Sequence, residues 1–347
     1  MSPTVEELRA QGFVIQLGGG VDYHRVKLAH PCLHYTPAKC FVTDTAEDAY
    51  QRSAASRYDD DEEPEEEEET EEPSEAKQSG SLLDVLLTEG ARYDALAIPE
   101  LPFLAQLKTK TDVVHYRDWR NYRVISADSY SKEATKQCKA SALDIGLTPI
   151  LEHKLLKAMR RVESVRVRLE LAGVSFEDGT CQVPIFWVEL ATDGTPVQCA
   201  ARLDQLIHKS SPDDLVIRDL KETNSLRHKP WANKVYELRY HLQAAVYKRA
   251  VRAVTGINPD FEWVLVRTGS IAVARRKPHD EWIRMGNTEW SFAVDQWAAC
   301  VKSGMWPGWE MRGVEECVPE SYHLTRHVEF IDTHDIKEAD DGDATAA

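Results

Sequence analysis

Three stretches near the middle of the chain carry their apolar residues in the short runs expected of strands. They are Cys181–Leu190 (CQVPIFWVEL), Thr195–Ile207 (TPVQCAARLDQLI) and Asp214–Glu222 (DLVIRDLKE). Asp193–Thr195 reads as the hairpin turn between the first two. On either side the period becomes helical. In TPILEHKLLKAMRRVESVRVRLEL, Ile150, Leu151, Leu155, Leu156 and Met159 recur at helical spacing, with Thr148 as N-cap before Pro149. Upstream, SLLDVLLTEGARYDAL packs Leu82, Leu83, Val85, Leu86 and Leu87 into what suits a buried helix. Downstream, one helix is predicted over Lys234–Gly256, closed by Gly256. Two strands follow, FEWVLVRT and SIAVARR, then a last helix over Asn287–Ser303. This order predicts an α/β fold, a mixed central sheet with helices on both sides. There is no internal repeat.

Composition changes the picture mainly through charge. The chain has 347 residues, 42% of them hydrophobic, and a formal net charge of −16. That charge is concentrated. Asp59–Glu72 holds 12 acids and no base, and the tail Asp332–Asp343 is net −5, so the rest is close to neutral. The acidic run reads as a solvated linker, with a DNA mimic as the sharper alternative. The expected organisation is an N-terminal segment of unassigned role (1–51), an acidic linker (52–78), a folded domain (79–315) and an acidic tail (316–347). The seven scattered cysteines form no CxxC and read as reduced thiols. No run of 18 apolar residues is present, and MSPTVEELRAQGF is acidic where a secretory leader would be basic. A cytoplasmic protein with no membrane partner is expected.

Candidate chemistry gathers at the end of the third strand. Asp219 and Lys221 flank Leu220 and so share one face. The preceding strand brings Asp204, which converges on Asp219 if the two strands are antiparallel neighbours. Two close carboxylates repel unless a cation lies between them, and an oxygen-only site suits Mg²⁺ or Mn²⁺. On the following helix Gln243 and Tyr247 are four apart and share a face. By itself, an acid-x-Lys strand end is most often an exposed polar edge.

The combination RLD…DLKET…YELRYHLQAAVY resembles the PD-(D/E)XK nucleases, and most closely their exonuclease VIII (RecE-like) branch with its QxxxY helix. The resemblance runs from about Gly80 to Trp309. It implies a restriction-endonuclease-like core. It also implies metal ligands at Asp204, Asp219 and the Leu220 carbonyl, and a phosphate- or water-contacting Lys221. Gln243 and Tyr247 would line the DNA end. Asp84 stands where the family carries histidine and is expected as a further metal ligand. Gln182 stands where relatives often carry glutamate. Arg202, and Lys154, Lys157, Arg160 and Arg161 on the basic helix face, are candidate DNA contacts. The resemblance further implies an Mg²⁺-dependent exodeoxyribonuclease on double-stranded DNA ends, working 5′ to 3′ in phage or prophage recombination. A homo-oligomer and a single-strand annealing partner go with it. The alternatives are an endonuclease, or a catalytically weak DNA-end-binding protein of the same fold.

Other motifs carry less. LGGGVDYH lacks the ending of a phosphate loop. His30, Cys32 and His34 have no evident fourth zinc ligand and read as a packed turn. Trp282, Trp290, Trp297, Trp306 and Trp309 read as core, with base stacking the alternative.

Overall fold

A strand buried on both faces needs an apolar run rather than alternation, and Leu215–Thr223 is such a run, buried from Leu215 to Leu220. It lies inside the main sheet of a computed structural model that describes residues 5–11, 14–18, 32–53, 75–88, 105–109, 112–119, 122–209, 211, 214–309 and 325. The sheet order is β1 (Gln16–Leu17), β6 (Thr180–Leu190), β7 (Pro196–His208), β8 (Leu215–Thr223), β9 (Asp260–Arg267) and β10 (Val273–Arg276). All neighbours are antiparallel except β8 and β9, which are parallel. A parallel pair needs a crossover. Here α7 (His228–Glu237) and α8 (Tyr240–Thr255) supply it.

Alternation along β9 divides the two cores. Phe261, Trp263 and Leu265 join a cluster with Leu242, Val246, Trp290 and Trp297. These come from α8 and α9 (Asp280–Ser303). Val264 and Val266 join Leu220 in a second cluster with α4 (Glu75–Thr88) and α6 (Glu152–Leu171). Helices therefore flank a mixed sheet, as the sequence order predicts.

A second sheet, which the hydrophobic pattern does not announce, runs β2 (Ala105–Lys108), β3 (Val113–Trp119), β4 (Tyr122–Ser126) and β5 (Thr148–Leu151). It packs on α5 (Glu133–Leu143) through Val114, Ile125, Ala134, Cys138 and Leu151. The N-terminal segment adds β1 to the main sheet and a Leu33–Cys199 bridge. Its helix α2 (Tyr35–Thr43) sets Phe41 edge-on to Trp297 at 6.4 Å. A short helix, α3 (Ala46–Gln51), follows with a Thr45–Asp48 capping box. One further short helix, α1 (Val5–Ala10), opens the chain.

Three sequence expectations need correction. Thr148 does not cap a helix: Thr148–Leu151 is β5, parallel to β4, and α6 starts at Glu152. Proline holds its predecessor extended, and Ile150 and Leu151 then find a strand to pair with. The helix over Lys234–Gly256 is two helices, broken at Leu238–Arg239 where Arg239 takes φ 57°. The last helix starts at Asp280, earlier than Asn287, where the His279 side chain accepts from the Glu281 N–H. Gly256 does close α8 in the left-handed region. No described helix is long and apolar enough to cross a membrane.

Helices α8 and α9 meet closely at Gly286. A Cβ on Gly286 of α9 would lie 2.4 Å from the His241 carbonyl oxygen and 2.8 Å from the Ala245 Cβ. Intrinsic helix propensity favours alanine there by up to ~1 kcal/mol. Gly286→Ala is nevertheless expected to destabilise by about 1–3 kcal/mol, because the helices must part. A lower urea midpoint at unchanged slope is the check; an unchanged or higher midpoint would show that the contact gives way.

Candidate active site

The ladders of the main sheet give out along one row. Between β6 and β7 the pairs Cys181–Gln205 and Val183–Leu203 are made, and Gln182, which falls between them, is skipped. Between β7 and β8 the last pair is Gln205–Arg218, so the next step places Asp204 opposite Asp219. Gln182, Asp204 and Asp219 thus fall in one row across three strands. The expected antiparallel convergence of the two aspartates is present. Where the backbone pairing stops, the Asp204 carboxylate takes over: the Leu220 N–H donates to its Oδ2 at 2.7 Å.

Asp219 is 0% exposed, and neither carboxylate oxygen accepts a well-formed hydrogen bond from a described group. Lys221 Nζ lies 2.6 Å from its Oδ2. Burial, opposed by Lys221 and reinforced by Asp204, pushes the Asp219 carboxyl up to about 7. Burial also raises Asp204, against Lys221, the Leu220 amide and Arg202. For Lys221 burial works the other way, but Asp219 and Asp204 outweigh it and hold the ammonium above its ordinary range.

The lysine is roofed by an aromatic ring that the sequence does not single out. Its Nζ sits 5.1 Å from the centre of the Tyr240 ring, within cation–π range. Tyr35, on α2, donates its hydroxyl to the Leu238 carbonyl just before α8. Burial raises both phenols, and each feels the charges of Lys221 and Asp219. Tyr240, Gln243 and Tyr247 stand at i, i+3 and i+7 on α8, one face of the helix. Gln243 Nε2 donates to the Tyr247 hydroxyl at 2.9 Å, while Gln243 Oε1 is buried and accepts no hydrogen bond from a described group.

Asp84 comes from α4. Thr88 Oγ1 donates to its Oδ1 at 3.1 Å and to its carbonyl at 2.8 Å. Gln182 Nε2 reaches Thr88 Oγ1 at 2.8 Å and the two Asp84 carboxylate oxygens at 3.4 and 3.3 Å. Burial first, then the charge of Asp204, push the Asp84 carboxyl up to about 7 against Thr88, Lys221 and Arg202. Asp84 and Asp219 therefore each sense Asp204, all three acids offer oxygen, and the most buried has lone pairs unsatisfied by described groups. That donor set fits a hard divalent cation, which keeps several waters and takes one or two carboxylates. Among the described residues no group of three or more His, Cys, Asp or Glu side chains stands close enough together to hold a metal ion as it is.

The basic candidates separate. Lys154, Lys157 and Arg160 are exposed along α6, and Arg202 is exposed beside Asp204. Arg161 is engaged: it pairs with Glu222 at 2.7 Å and donates to the Ser270 and Arg267 carbonyls, both at 2.9 Å. It fastens α6 to the end of β8. Cys32 and Leu33 are buried, His34 half-buried, and His30 and Gly19–His24 lie outside the described residues. Trp290 and Trp297 are core, whereas Trp309 is exposed. The six described cysteines are free thiols.

A family model described as a PDDEXK-like domain of unknown function (DUF3799) matches residues 104–307. That span holds Asp204, Asp219, Lys221, Gln243 and Tyr247 but neither Tyr35 nor Asp84. Among solved structures, the chain is similar to a "Putative exonuclease" from Eubacterium rectale at 15% identity and TM-score 0.47, over 94% of this chain and 98% of that one. It is also similar to SSO0001 at 15% identity and TM-score 0.26, over 49% of this chain and 68% of that one. No curated protein matches the chain.

Proposed function

Because the chain belongs to the PDDEXK-like family DUF3799, we propose that it is a divalent-metal-dependent exodeoxyribonuclease, with Mg²⁺ the working ion. Its substrate is the end of linear duplex DNA, degraded 5′ to 3′ to expose a single strand for recombination. The observation that carries the reading is Asp219: a fully buried carboxylate, unsatisfied except by Lys221, with Asp204 next to it across the sheet. Lys221 pairs with one of its oxygens, and a divalent cation would engage the lone pairs that remain.

Asp204, Asp219, the Leu220 carbonyl and Asp84 are the oxygens that would hold the ion. A bound divalent cation supplies an acidified water and takes up charge on the phosphate. The rest falls to the chain. The Lys221 ammonium, held charged by two acids, donates to a non-bridging phosphate oxygen or orients the attacking water. The water oxygen bonds to phosphorus as one P–O ester bond breaks, and the proton that the water gives up balances the one that the leaving oxygen takes. Gln243 Oε1 and the Tyr247 hydroxyl offer polar contacts to the DNA end. Lys154, Lys157 and Arg160 form a phosphate track.

The exonuclease VIII-like order of RLD, DLK and QxxxY supports exonuclease over endonuclease action. It is also the ground for the stated polarity, a ring-shaped homo-oligomer, a single-strand annealing partner and a cytoplasmic setting. Gln182, an amide where relatives often carry glutamate, is the ground for one second reading, a DNA-end-binding protein that cleaves weakly.

The test is linear 5′-phosphorylated duplex DNA with each strand end-labelled, beside a closed circle, in Mg²⁺ and in EDTA. Loss of the linear DNA alone, from the 5′-labelled ends, and none in EDTA, is expected. A wild type that binds ends but leaves both strands whole in Mg²⁺ and in Mn²⁺ would establish the second reading instead.

A further inference from the structure

Gln182 is held in a conformation that its residue type disfavours. It lies inside β6 with φ 52°, in the left-handed region, where a side chain with a Cβ is strained. Arg239 is the one other described non-glycine residue with a positive φ, and it sits between two helices. Gln182 interrupts a strand. The interruption falls across from Asp204, at the skipped ladder position. Strain of this kind persists only where surrounding contacts over-determine it, and it gathers at functional sites.

The strained backbone delivers an amide to Asp84. Gln182 Nε2 meets Thr88 Oγ1 at 2.8 Å and both Asp84 oxygens at 3.3 and 3.4 Å. Thr88 shares its one hydroxyl hydrogen between the Asp84 backbone carbonyl at 2.8 Å and Oδ1 at 3.1 Å. Asp84 is thus gripped from a strand and from its own helix. A glutamate at 182 would bring another carboxylate beside Asp84 and Asp204 and repel both. A glutamine brings the opposite: an N–H donor that stabilises a carboxylate as an anion and fixes its orientation.

Resting on the metal-binding part of the reading above, we propose that Gln182 is a positioning residue, which with Thr88 presents the Asp84 carboxylate to a divalent cation shared with Asp204 and Asp219. The glutamine is then a substitute for direct ligation rather than a lost ligand. Outer-shell partners of this kind change metal affinity by about 10- to 100-fold.

The test separates affinity from folding. Mn²⁺ is titrated into the full chain by calorimetry, and melting is followed in EDTA. The variants are Gln182→Gly, which removes the amide and relaxes the backbone, and Thr88→Val, which keeps the shape and leaves the strained residue alone. Both are expected to bind Mn²⁺ about 10- to 100-fold more weakly. Gln182→Gly is expected to melt in EDTA no lower than wild type, since glycine accepts a positive φ freely. A purely structural Gln182 would give the reverse, a lower melting temperature with unchanged affinity. Variants that bind Mn²⁺ as tightly as wild type, or more tightly, overturn the inference alone. A wild type that takes up no Mn²⁺ overturns it together with the metal-dependent reading.

Discussion

Lys221→Met is expected to lower single-turnover cleavage of end-labelled linear duplex by about 10³-fold, with DNA-end binding retained. A preorganised charge aimed at a developing oxyanion is worth about 10²–10³ in rate, or ~3–4 kcal/mol. Methionine keeps the unbranched apolar stem under Tyr240 and removes only the cation. The same substitution strips Asp219 of its 2.6 Å partner. Breaking a buried pair by removing one member costs about 3–5 kcal/mol. The variant should therefore melt well below wild type in EDTA and recover part of that loss when Mn²⁺ supplies the missing charge. Asp219→Asn makes the complementary cut. It removes the buried charge and the ligand together, so cleavage should fall at least as far, while melting in EDTA should not fall as Lys221→Met does. Turnover by either variant within tenfold of wild type would remove these two residues from the chemistry.

Much of that site is legible in the sequence because it rides on the strongest local signal, a doubly buried strand. Leu215, Val216 and Ile217 announce β8, and the strand period then puts Asp219 and Lys221 on one face. Asp204 needs one further step, the register of β7 on β8, which the short connection between them makes antiparallel. The QxxxY pair needs only helical spacing. The second sheet is hidden for the opposite reason. Val113–Trp119 (VVHYRDW) mixes apolar and charged residues, and Arg117 is buried against Glu152 at 2.6 Å. A buried ion pair of this sort looks like a surface in one dimension. Pro149 similarly disguises β5 as a helix start.

The missed members of the site are those that arrive from far along the chain. Tyr35 lies some 200 positions from Leu238, whose carbonyl accepts its hydroxyl. No periodicity connects them. Tyr240 is hidden by a different effect, the break at Arg239, since an uninterrupted helix gives no reason to aim that ring at Lys221. Gln182 is visible as a departure from the family pattern. Its left-handed backbone and its grip on Asp84 are not, because they are properties of where two ladders fail.

Glu262→Ala is expected to be the most destabilising substitution away from the site, by about 3–5 kcal/mol, or on the order of 10 °C in melting temperature. Glu262 is 2% exposed and receives two guanidinium groups, Arg218 Nε at 2.6 Å and Arg275 Nη2 at 2.6 Å. Arg218 is its partner across β8 and β9 and the residue immediately before Asp219. The two arginines also donate to the Ser175, Gly173 and Ala172 carbonyls, which ties the end of α6 to the sheet. Alanine would leave both cations around a void, whereas Glu262→Gln keeps the shape and should cost less. Burial raises the Glu262 carboxyl, but Arg218 and Arg275 outweigh it and hold it below the ordinary range. Its contribution is therefore complete above the unfolded value of about 4.3 and is lost as pH falls toward the lower folded value. Melting of wild type should fall in that acid window more steeply than melting of Glu262→Gln, and equal slopes would remove this carboxylate from the acid response. Because the network reaches β8 through the Arg218 side chain and not through Asp84, Asp204 or Asp219, the folded fraction of Glu262→Gln should bind Mn²⁺ with wild-type affinity. That result would separate what holds the strand in place from what the strand presents.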